Sequence, residues 1–545
     1  MSGSPLPQAE RSLEREVKLD VGVGFSAPDL TGVVEGVTVV ARPLARLAAT
    51  YYDTPDLRLL RRGMTLRHRR DRVAGGEDLW TLKLPSRTGH AALSRDEHSW
   101  AGDQDDVPAA ARAAVLAVVR HAGLAPVADL VTTRRRVELM VDPGGRLVEV
   151  DDDLVSVVSG VRQGLRFREV EIELGDETGA DAALEAVVAA FVQAGAARGT
   201  PYPKVQHALG LGALASFDVA PAGPASTMGD LARAVLVAGL DRILDHDHGI
   251  RTGDPDPEYV HQVRVATRRL RSDLLTLRGA LDPGWVERRR SELRWLGEGL
   301  GKVRDLDVLG AGLRDRRLAA EPLDVEGHDE LLGLLEADRQ RAWSALVETL
   351  QSEPYLDLLD ELAAAVGELP APGADGAAPA IDPATPAAEV LPGLLGERWR
   401  KLRRSVRQAT AQPTDDRLHR VRIRAKQLRY AAEAAEPVLG PRARRLAEAA
   451  AALQTELGEL HDTVTAEAWL RRAPRRSSAE GAFVAGQLSA IEQARRNQLR
   501  ATWHDAWRAA RRQARRAEEA TVLRPPGSPV PRPGEPGEPG WLAEP

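Results

Sequence analysis

The chain has 545 residues, enough for two to four domains that each bury a core. Its net charge of −6 is the small difference between 74 basic and 80 acidic residues, so local segregation of charge matters more than the sum. The lack of cysteine excludes disulfides, thiolate metal sites and cysteine nucleophiles, and no long uncharged apolar segment offers a membrane span.

The opening residues "MSGSPLPQAER" carry no apolar stretch of the signal-peptide kind, so a soluble cytoplasmic protein is expected. From residue 12 to 210 short alternating segments predict strands, among them "EREVKLD", "RLAATYYDT", "MTLRHRR", "LWTLKL", "TRRRVELMV", "RLVEVDDD" and "REVEIEL". Two helical patterns interrupt them, "DVPAAARAAVLAVVRHAG" and "ADAALEAVVAAFVQAG". Small residues and Pro over 211–227 predict a linker. Residues 228–517 read as helix throughout, split near 368–392 by a Pro/Ala-rich insert too poor in large apolar side chains to pack. The Pro-rich stretch 518–545 is expected to be disordered. The fold class is α+β, a strand-rich domain followed by an all-α one.

Read with a period of two, several strands have one charged face. Glu14, Glu16 and Lys18 share a side, as do Arg67 and Arg69, Arg95 and Glu97, and Arg134, Arg136 and Glu138. Lys83 opposes Trp80, Leu82 and Leu84; Glu149 and Asp151 oppose Val148 and Val150; Glu169, Glu171 and Glu173 oppose Val170, Ile172 and Leu174. A solvated face accounts for any single strand. Taken together, the strands carry acid clusters at Glu14/Glu16 and Glu171/Glu173, with Asp151, that need a counter-charge if a barrel closes over them. Same-face carboxylates in Glu-x-Glu lie roughly 6.5–7 Å apart. A divalent cation with oxygen ligands, Mg²⁺ or Mn²⁺, supplies the counter-charge, and the Arg and Lys residues suit phosphate. Acids for a metal and bases for phosphate describe a metal–polyphosphate site.

Glu14-x-Glu16-x-Lys18 resembles the ExExK signature of the CYTH superfamily, the triphosphate tunnel metalloenzyme fold, and the other family segments follow in order. "YYDTPDLRLLRRGMTLRHR", "LWTLK", "SRDEHS", "VEVD", "EVEIEL" and "YPKVQHAL" resemble them, with Pro203 where the last pattern usually has Ser. The resemblance covers residues 12–210. It implies an antiparallel β-tunnel of eight strands whose bore takes a linear triphosphate. Carried over by position, Glu14, Glu16, Asp151, Glu171 and Glu173 would hold one or two divalent ions. Lys18, Arg67, Arg69, Lys83, Arg95, Arg134 and Lys204 would grip phosphate oxygens, and Glu14, Glu16 and Lys18 are the expected catalytic set. Glu97 is expected to order Arg95 or a water, and Glu169 is equally readable as a strand-end residue. With no Ser/His/Asp arrangement and no Gly-rich phosphate loop, the nucleophile is expected to be a water activated by the metal.

Inorganic triphosphate, thiamine triphosphate and ATP compete as substrates. The cyclases of this fold usually carry His-Phe just before ExExK, where this chain has "AERSLEREVK", and aromatic residues make up 4% of the chain. Inorganic triphosphate is the economical choice.

The helical region repeats itself. "HQVRVATRRLRSDL" begins at His261 and "HRVRIRAKQLRYAA" at His419; "LGEGLGKVRDLDVL" and "LQTELGELHDTVTA" follow, with 44 residues from His261 to Asp305 and 43 from His419 to Asp462. Positions 0, +3, +7 and +10 of a helix lie within roughly 80° of one another. His261, Arg264, Arg268 and Arg271 occupy them in the first copy; His419, Arg422, Lys426 and Arg429 do so in the second. Neither stripe contains the interleaved acids that ion pairing requires, so an anion-facing role is expected. The repeat resembles the CHAD domain over residues 228–517, which implies a non-enzymatic module that binds inorganic polyphosphate, with Asp305 and Asp462 holding the Arg stripes. Nucleic acid is disfavoured as a partner by the net acidity and the lack of interleaved aromatics. The expected whole is a cytoplasmic metal-dependent triphosphatase tethered to a polyphosphate-binding domain, with granule association a further expectation. The alternative is a catalytically weak polyphosphate scaffold.

Overall fold

The computed structural model of the chain describes residues 10–71, 78–85, 93–141, 144–175, 177–199, 202–318, 324–370 and 380–519. They fall into two units, Met1–Asp218 with Arg251–Gly253, and Val219–Ile250 with Asp254–Pro545.

The strands of the first unit are β1 (Glu10–Val21), β2 (Thr38–Ala41), β3 (Ala45–Asp53), β4 (Thr65–Asp71), β5 (Leu79–Pro85), β6 (Leu93–Ala101), β7 (Ala125–Val141), β8 (Gly145–Ser159), β9 (Arg166–Leu174) and β10 (Ala197–Arg198). Eight of them join edge to edge in the order β1-β6-β5-β4-β3-β7-β8-β9, and β9 pairs back onto β1 to close the ring. Every pairing is antiparallel. This is the expected eight-stranded tunnel. The additional strands β2 and β10, on β7 and β1, are four and two residues long, too short for alternation to reveal.

Closure decides which face is core. The outward apolar residues of β8 and β9 are covered by a helix. Val148, Val150, Val170 and Ile172 pack with Leu184, Val187 and Phe191 of α2 (Ala180–Gln193). Leu130, Val155 and Val157 instead share the inward parity of Arg134, Asp151 and Asp153, and pack with Val205 and Ala208 of α3 (Lys204–Leu209) on the inner side of the ring. A helix α1 (Ala109–Val119) joins β6 to β7. Each fully buried Val, Leu or Ile contributes about 1.5–3 kcal/mol, which offsets the cost of turning the charged parity inward. Glu16, Lys18, Asp151, Asp153 and Glu169 are all buried. The solvated-face reading therefore fails for these strands, because the polar side is the interior.

The second unit contains α4 (Met228–Arg251), α5 (Glu258–Leu277), α6 (Pro283–Leu318), α7 (Val325–Gln351), α8 (Glu353–Gly367), α9 (Ala387–Ala411), α10 (Asp415–Leu439), α11 (Pro441–Leu470) and α12 (Ala479–Glu519). The repeated motifs lie on α5 and α10 and on α6 and α11. Each motif helix packs on the next in sequence, and across the repeat α5 meets α10 and α6 meets α11.

The segment 368–392 departs from the expectation of an insert that cannot pack. Residues 371–379 lie outside the described residues, but the amide of Ile381 donates to the Gly279 carbonyl at 2.8 Å and that of Met228 donates to Thr385 at 2.9 Å. Helix α9 already begins at Ala387, with Ala387, Leu391 and Pro392 buried. Backbone hydrogen bonds need no large side chains, so composition understates how such a segment docks. Of the stretch 518–545, α12 takes residues up to Glu519 and the remainder lies outside the described residues.

Candidate functional site

The turn before β4 is built by the "YYDT" segment. Asp53, buried at the end of β3, accepts the amides of Thr54, Leu59 and Leu60 at 2.7, 2.9 and 2.9 Å. Gly63 then adopts a left-handed φ of 66°, which favours glycine. The chain enters β4 with Thr65, Arg67 and Arg69 on the inward parity, beside Lys83 of β5.

Strand register gathers the other charges into rows across β7, β8, β9 and β1. One row reads Arg136, Asp151, Glu171, Lys18; the next reads Arg134, Asp153, Glu169, Asp20; a third, wholly acidic, reads Glu138, Glu149, Glu173, Glu16. The bore they surround has a volume of about 270 Å³. Of the expected residues it brings together Glu16, Lys18, Arg67, Arg69, Lys83, Arg134, Asp151, Glu171, Glu173 and Lys204. Glu14 and Arg95 are paired in register between β1 and β6, and their side chains lie outside the described residues.

On the acidic wall, bases and acids are interlocked. Lys18 Nζ contacts Glu171 and lies 3.7 Å from both Glu16 and Glu169. Lys204, at the first turn of α3, reaches Glu171, Glu169 and Asp153 at 2.5, 2.8 and 3.1 Å. Arg134 grips Asp153 through two nitrogens at 2.8 and 2.6 Å and also contacts Asp151. Arg136 holds Asp151 at 2.8 Å and Glu149 at 2.7 Å. Burial alone would depress the Lys18 and Lys204 ammoniums, but the carboxylates around them outweigh it and hold both above the ordinary lysine range. Burial likewise pushes Glu171 up, and Lys18, Lys204 and Arg134 more than reverse it, leaving it well below the usual carboxylate range.

The facing wall is mostly basic. Burial and the adjacent Arg67 push Arg69 down to about 10. Glu97 lines this side and pairs with Lys83 at 3.2 Å, so it orders a lysine of the bore. Glu169 is no strand-end residue: it lies within β9, buried, between Lys18 and Lys204.

In the helical unit the cationic stripes of α5 and α10 converge. Arg264 lies 3.3 Å from Asp305, and Arg268 donates to the Tyr430 hydroxyl at 2.8 Å. The rings of His419 and His461 are 5.1 Å apart. Burial, then Arg268, Arg422 and Arg264, push the Lys426 ammonium down to about 6. His461 falls to about 4 through burial and its neighbours Arg422 and His419. Arg264 is lowered as well, by burial, Arg268 and Arg304, and Arg422 by burial, Arg268 and Arg264. His261 is depressed by burial and Arg304. The ends of the stripes differ from expectation. Arg429 is claimed by Glu433 at 2.6 Å, an acid one turn away that also binds Arg269 across the repeat at 2.9 Å. Arg271 is lowered by burial and by Arg294 and Arg290, away from the centre of the cluster.

A family model for the CYTH domain matches residues 12–200 and one for the CHAD domain matches residues 234–471. An uncharacterized protein of Mycobacterium tuberculosis is 32% identical over 486 residues, which is 84% of this chain and 88% of that protein. The chain is a CYTH–CHAD protein. Among solved structures, the CHAD domain from the plant Ricinus communis is 24% identical, covering 54% of this chain and 95% of its own, with a TM-score of 0.44. A protein from Hippeastrum with a dominant triphosphatase activity is 15% identical, covering 35% of this chain and 93% of its own, with a TM-score of 0.22.

The CYTH half of this CYTH–CHAD protein belongs with the triphosphate tunnel metalloenzymes, typically divalent-metal dependent. Its bore fits that chemistry by donor type: Glu16, Asp151, Glu171 and Glu173 offer only carboxylate oxygens, which suit a hard divalent cation. Among the described residues no three of them bring oxygens within 4.8 Å of one another. Glu16, Asp151 and Glu171 are instead engaged by lysine and arginine. Asp153, Arg136 and Glu149 are not among the expected site residues although they share parity with Asp151 or Arg134, and Arg146 has the opposite parity to Asp151, with the β7–β8 register shifting between Val148 and Arg146. In the CHAD half, the sequence already marks Arg304 beside Asp305 as a supporting residue; His461, at the equivalent position just before Asp462, is the one it does not single out.

Proposed function

We propose that the CYTH unit hydrolyses inorganic triphosphate with Mg²⁺ or Mn²⁺, and that the CHAD unit holds inorganic polyphosphate between its two cationic helices. What supports the first reading is a closed bore in which a basic wall faces a carboxylate wall. Tyr51 is the one aromatic side chain among the described residues lining its roughly 270 Å³. A nucleobase or thiazolium needs an apolar platform that these residues do not offer.

In this reading Arg67, Arg69 and Lys83 approach the non-bridging oxygens from one wall, with Glu97 orienting Lys83. Lys18, Arg134 and Lys204 approach from the other. The cation, held by Glu14, Glu16, Asp151, Glu171 and Glu173, supplies charge neutralisation and a more acidic water. Positioning and charge cancellation are most of what phosphoryl transfer asks of a protein. The test is phosphate release from inorganic triphosphate. Glu14→Ala/Glu16→Ala is expected to lower it on the order of a thousandfold, and undiminished turnover overturns the assignment. ATP and thiamine triphosphate, run beside it, are expected to be poorer substrates.

For the CHAD unit, the support is a cluster of partly buried cations depressed by burial and by neighbouring cations such as Arg268. A flexible polyanion relieves that repulsion. Replacement of His261, Arg264, Arg422 and Lys426 by acids is expected to abolish retention of the chain on immobilised polyphosphate.

A further inference from the structure

The bore's charges are already balanced. Eight basic and six acidic described side chains line it, and the buried carboxylates of Asp153 and Glu169 stand behind them. A highly charged anion entering alone would leave this space strongly negative, and a divalent cation entering alone would leave it positive. The pairing pattern sharpens the point. Lys18 and Lys204 share Glu171, and Arg134 spans Asp151 and Asp153.

We propose that the tunnel loads its divalent cation and its polyphosphate as a coupled pair, because the groups that would grip the anion are the counter-ions of the carboxylates that would hold the cation. This rests on the triphosphate reading above and adds how that site is filled. A cation that takes Glu171 and Asp151 releases Lys18, Lys204 and Arg134 toward phosphate. Phosphate that takes those bases leaves the carboxylates in need of a cation. Each ligand removes the competitor of the other, and linkage makes the effect reciprocal. The bases are not set adrift in the exchange, since Lys204 keeps Glu169 and Asp153, and Arg134 keeps Asp153.

The test uses the full chain, freed of metal by a chelator, and one ligand at a time, so that complexes formed in solution do not enter. The anion probe is the hydrolysis-resistant bridging-imido analogue of triphosphate, and binding is read by calorimetry. Glu171→Gln is expected to bind the metal-free analogue about tenfold more tightly than wild type, within the usual range of site–site coupling. Asp151→Asn, which removes one of the acids that hold Arg134 and Arg136, is expected to do the same. In the reciprocal arm, Lys18→Met is expected to bind Mg²⁺ alone about tenfold more tightly. Glu138→Gln removes an acid of the same rows that is held by Arg42 at 2.8 Å, and serves as the charge-only control with a change under about twofold. Any contribution of the CHAD cluster is common to all variants and cancels in the ratios. Glu171→Gln and Asp151→Asn chains that melt cooperatively yet bind the analogue no more tightly than wild type overturn the proposal, as does a Glu138→Gln effect equal to theirs. Phosphate release by wild type with Mg²⁺ separates the two readings. Hydrolysis without the tightening keeps the activity and sinks the coupling; tightening without hydrolysis does the reverse.

Discussion

The tunnel and the helical cluster both crowd cations together, yet the charges are arranged in opposite senses. In the tunnel, Lys18, Arg134 and Lys204 sit among carboxylates and are raised above their ordinary ranges despite burial. In the helical cluster, Arg264, Arg422 and Lys426 are lowered by burial and by neighbouring cations, Arg268 among them in each case. There Asp305 and Asp462 are the counter-ions of Arg264 and Arg422, and burial raises both carboxyls above their ordinary range. Carboxylates outweigh burial for the lysines and arginine of the tunnel, whereas burial and like charge prevail for the cations of the helical cluster. The lesson is that two cation clusters of similar composition can differ in which neighbours set their protonation.

That contrast can be broken at several points. The largest effect is expected from Lys204→Met, which strips a partner from Asp153, Glu169 and Glu171 in a buried setting. Leaving such charges uncompensated costs about 3–5 kcal/mol, readable as a lower denaturant midpoint of the tunnel transition; an unchanged midpoint would mean that the interlock carries no stability. Next comes Arg264→Glu with Arg422→Glu, expected to weaken polyphosphate binding about a hundredfold or more, from two lost charge-assisted contacts. Lys426→Met should act in two directions at once. It raises the stability of the ligand-free helical unit by on the order of 1 kcal/mol, the scale of a single unit of pKa displacement, and it lowers polyphosphate affinity.

The smallest effect sharpens the same point through pH. Lys426 is held at about 6 against an ordinary 10.5, so between those values the unfolded chain binds the proton that the folded chain does not. Stability of the helical unit should rise with pH across that window as far as this group is concerned. Polyphosphate affinity should fall over the same range, because the bound anion needs the ammonium. Melting curves and retention measured between about pH 6 and pH 9 check both signs.

Much of this was written in the alternation of the strands. Parity alone puts Glu16, Lys18, Asp151 and Glu171 on one side, and barrel closure turns that side inward. What parity does not carry is depth and pairing. Asp151 and Asp153 have the same parity, yet Asp151 lines the bore and Asp153 lies behind it, fully buried between Arg134 and Lys204. That separation depends on where α3 docks, which is a tertiary fact. In the helical half the stripes were legible but their ends were not. Arg429 turns to Glu433, and that acid also takes Arg269 because α10 lies against α5. The "YYDT" segment was recognised by resemblance, and its physical task of fixing the turn into β4 through Asp53 emerges only from the backbone bonds.

The β1–β9 seam has a consequence for how the protein is made. The first strand of the chain finds its closing neighbour at Arg166–Leu174, after every other strand of the ring has been synthesised. Until then its alternating edge waits unpaired on a growing polypeptide, and long-range pairing of this kind is slow and prone to wrong partners. An N-terminal fusion or truncation that delays this strand is therefore expected to lower the yield of soluble protein well before it touches any residue of the bore.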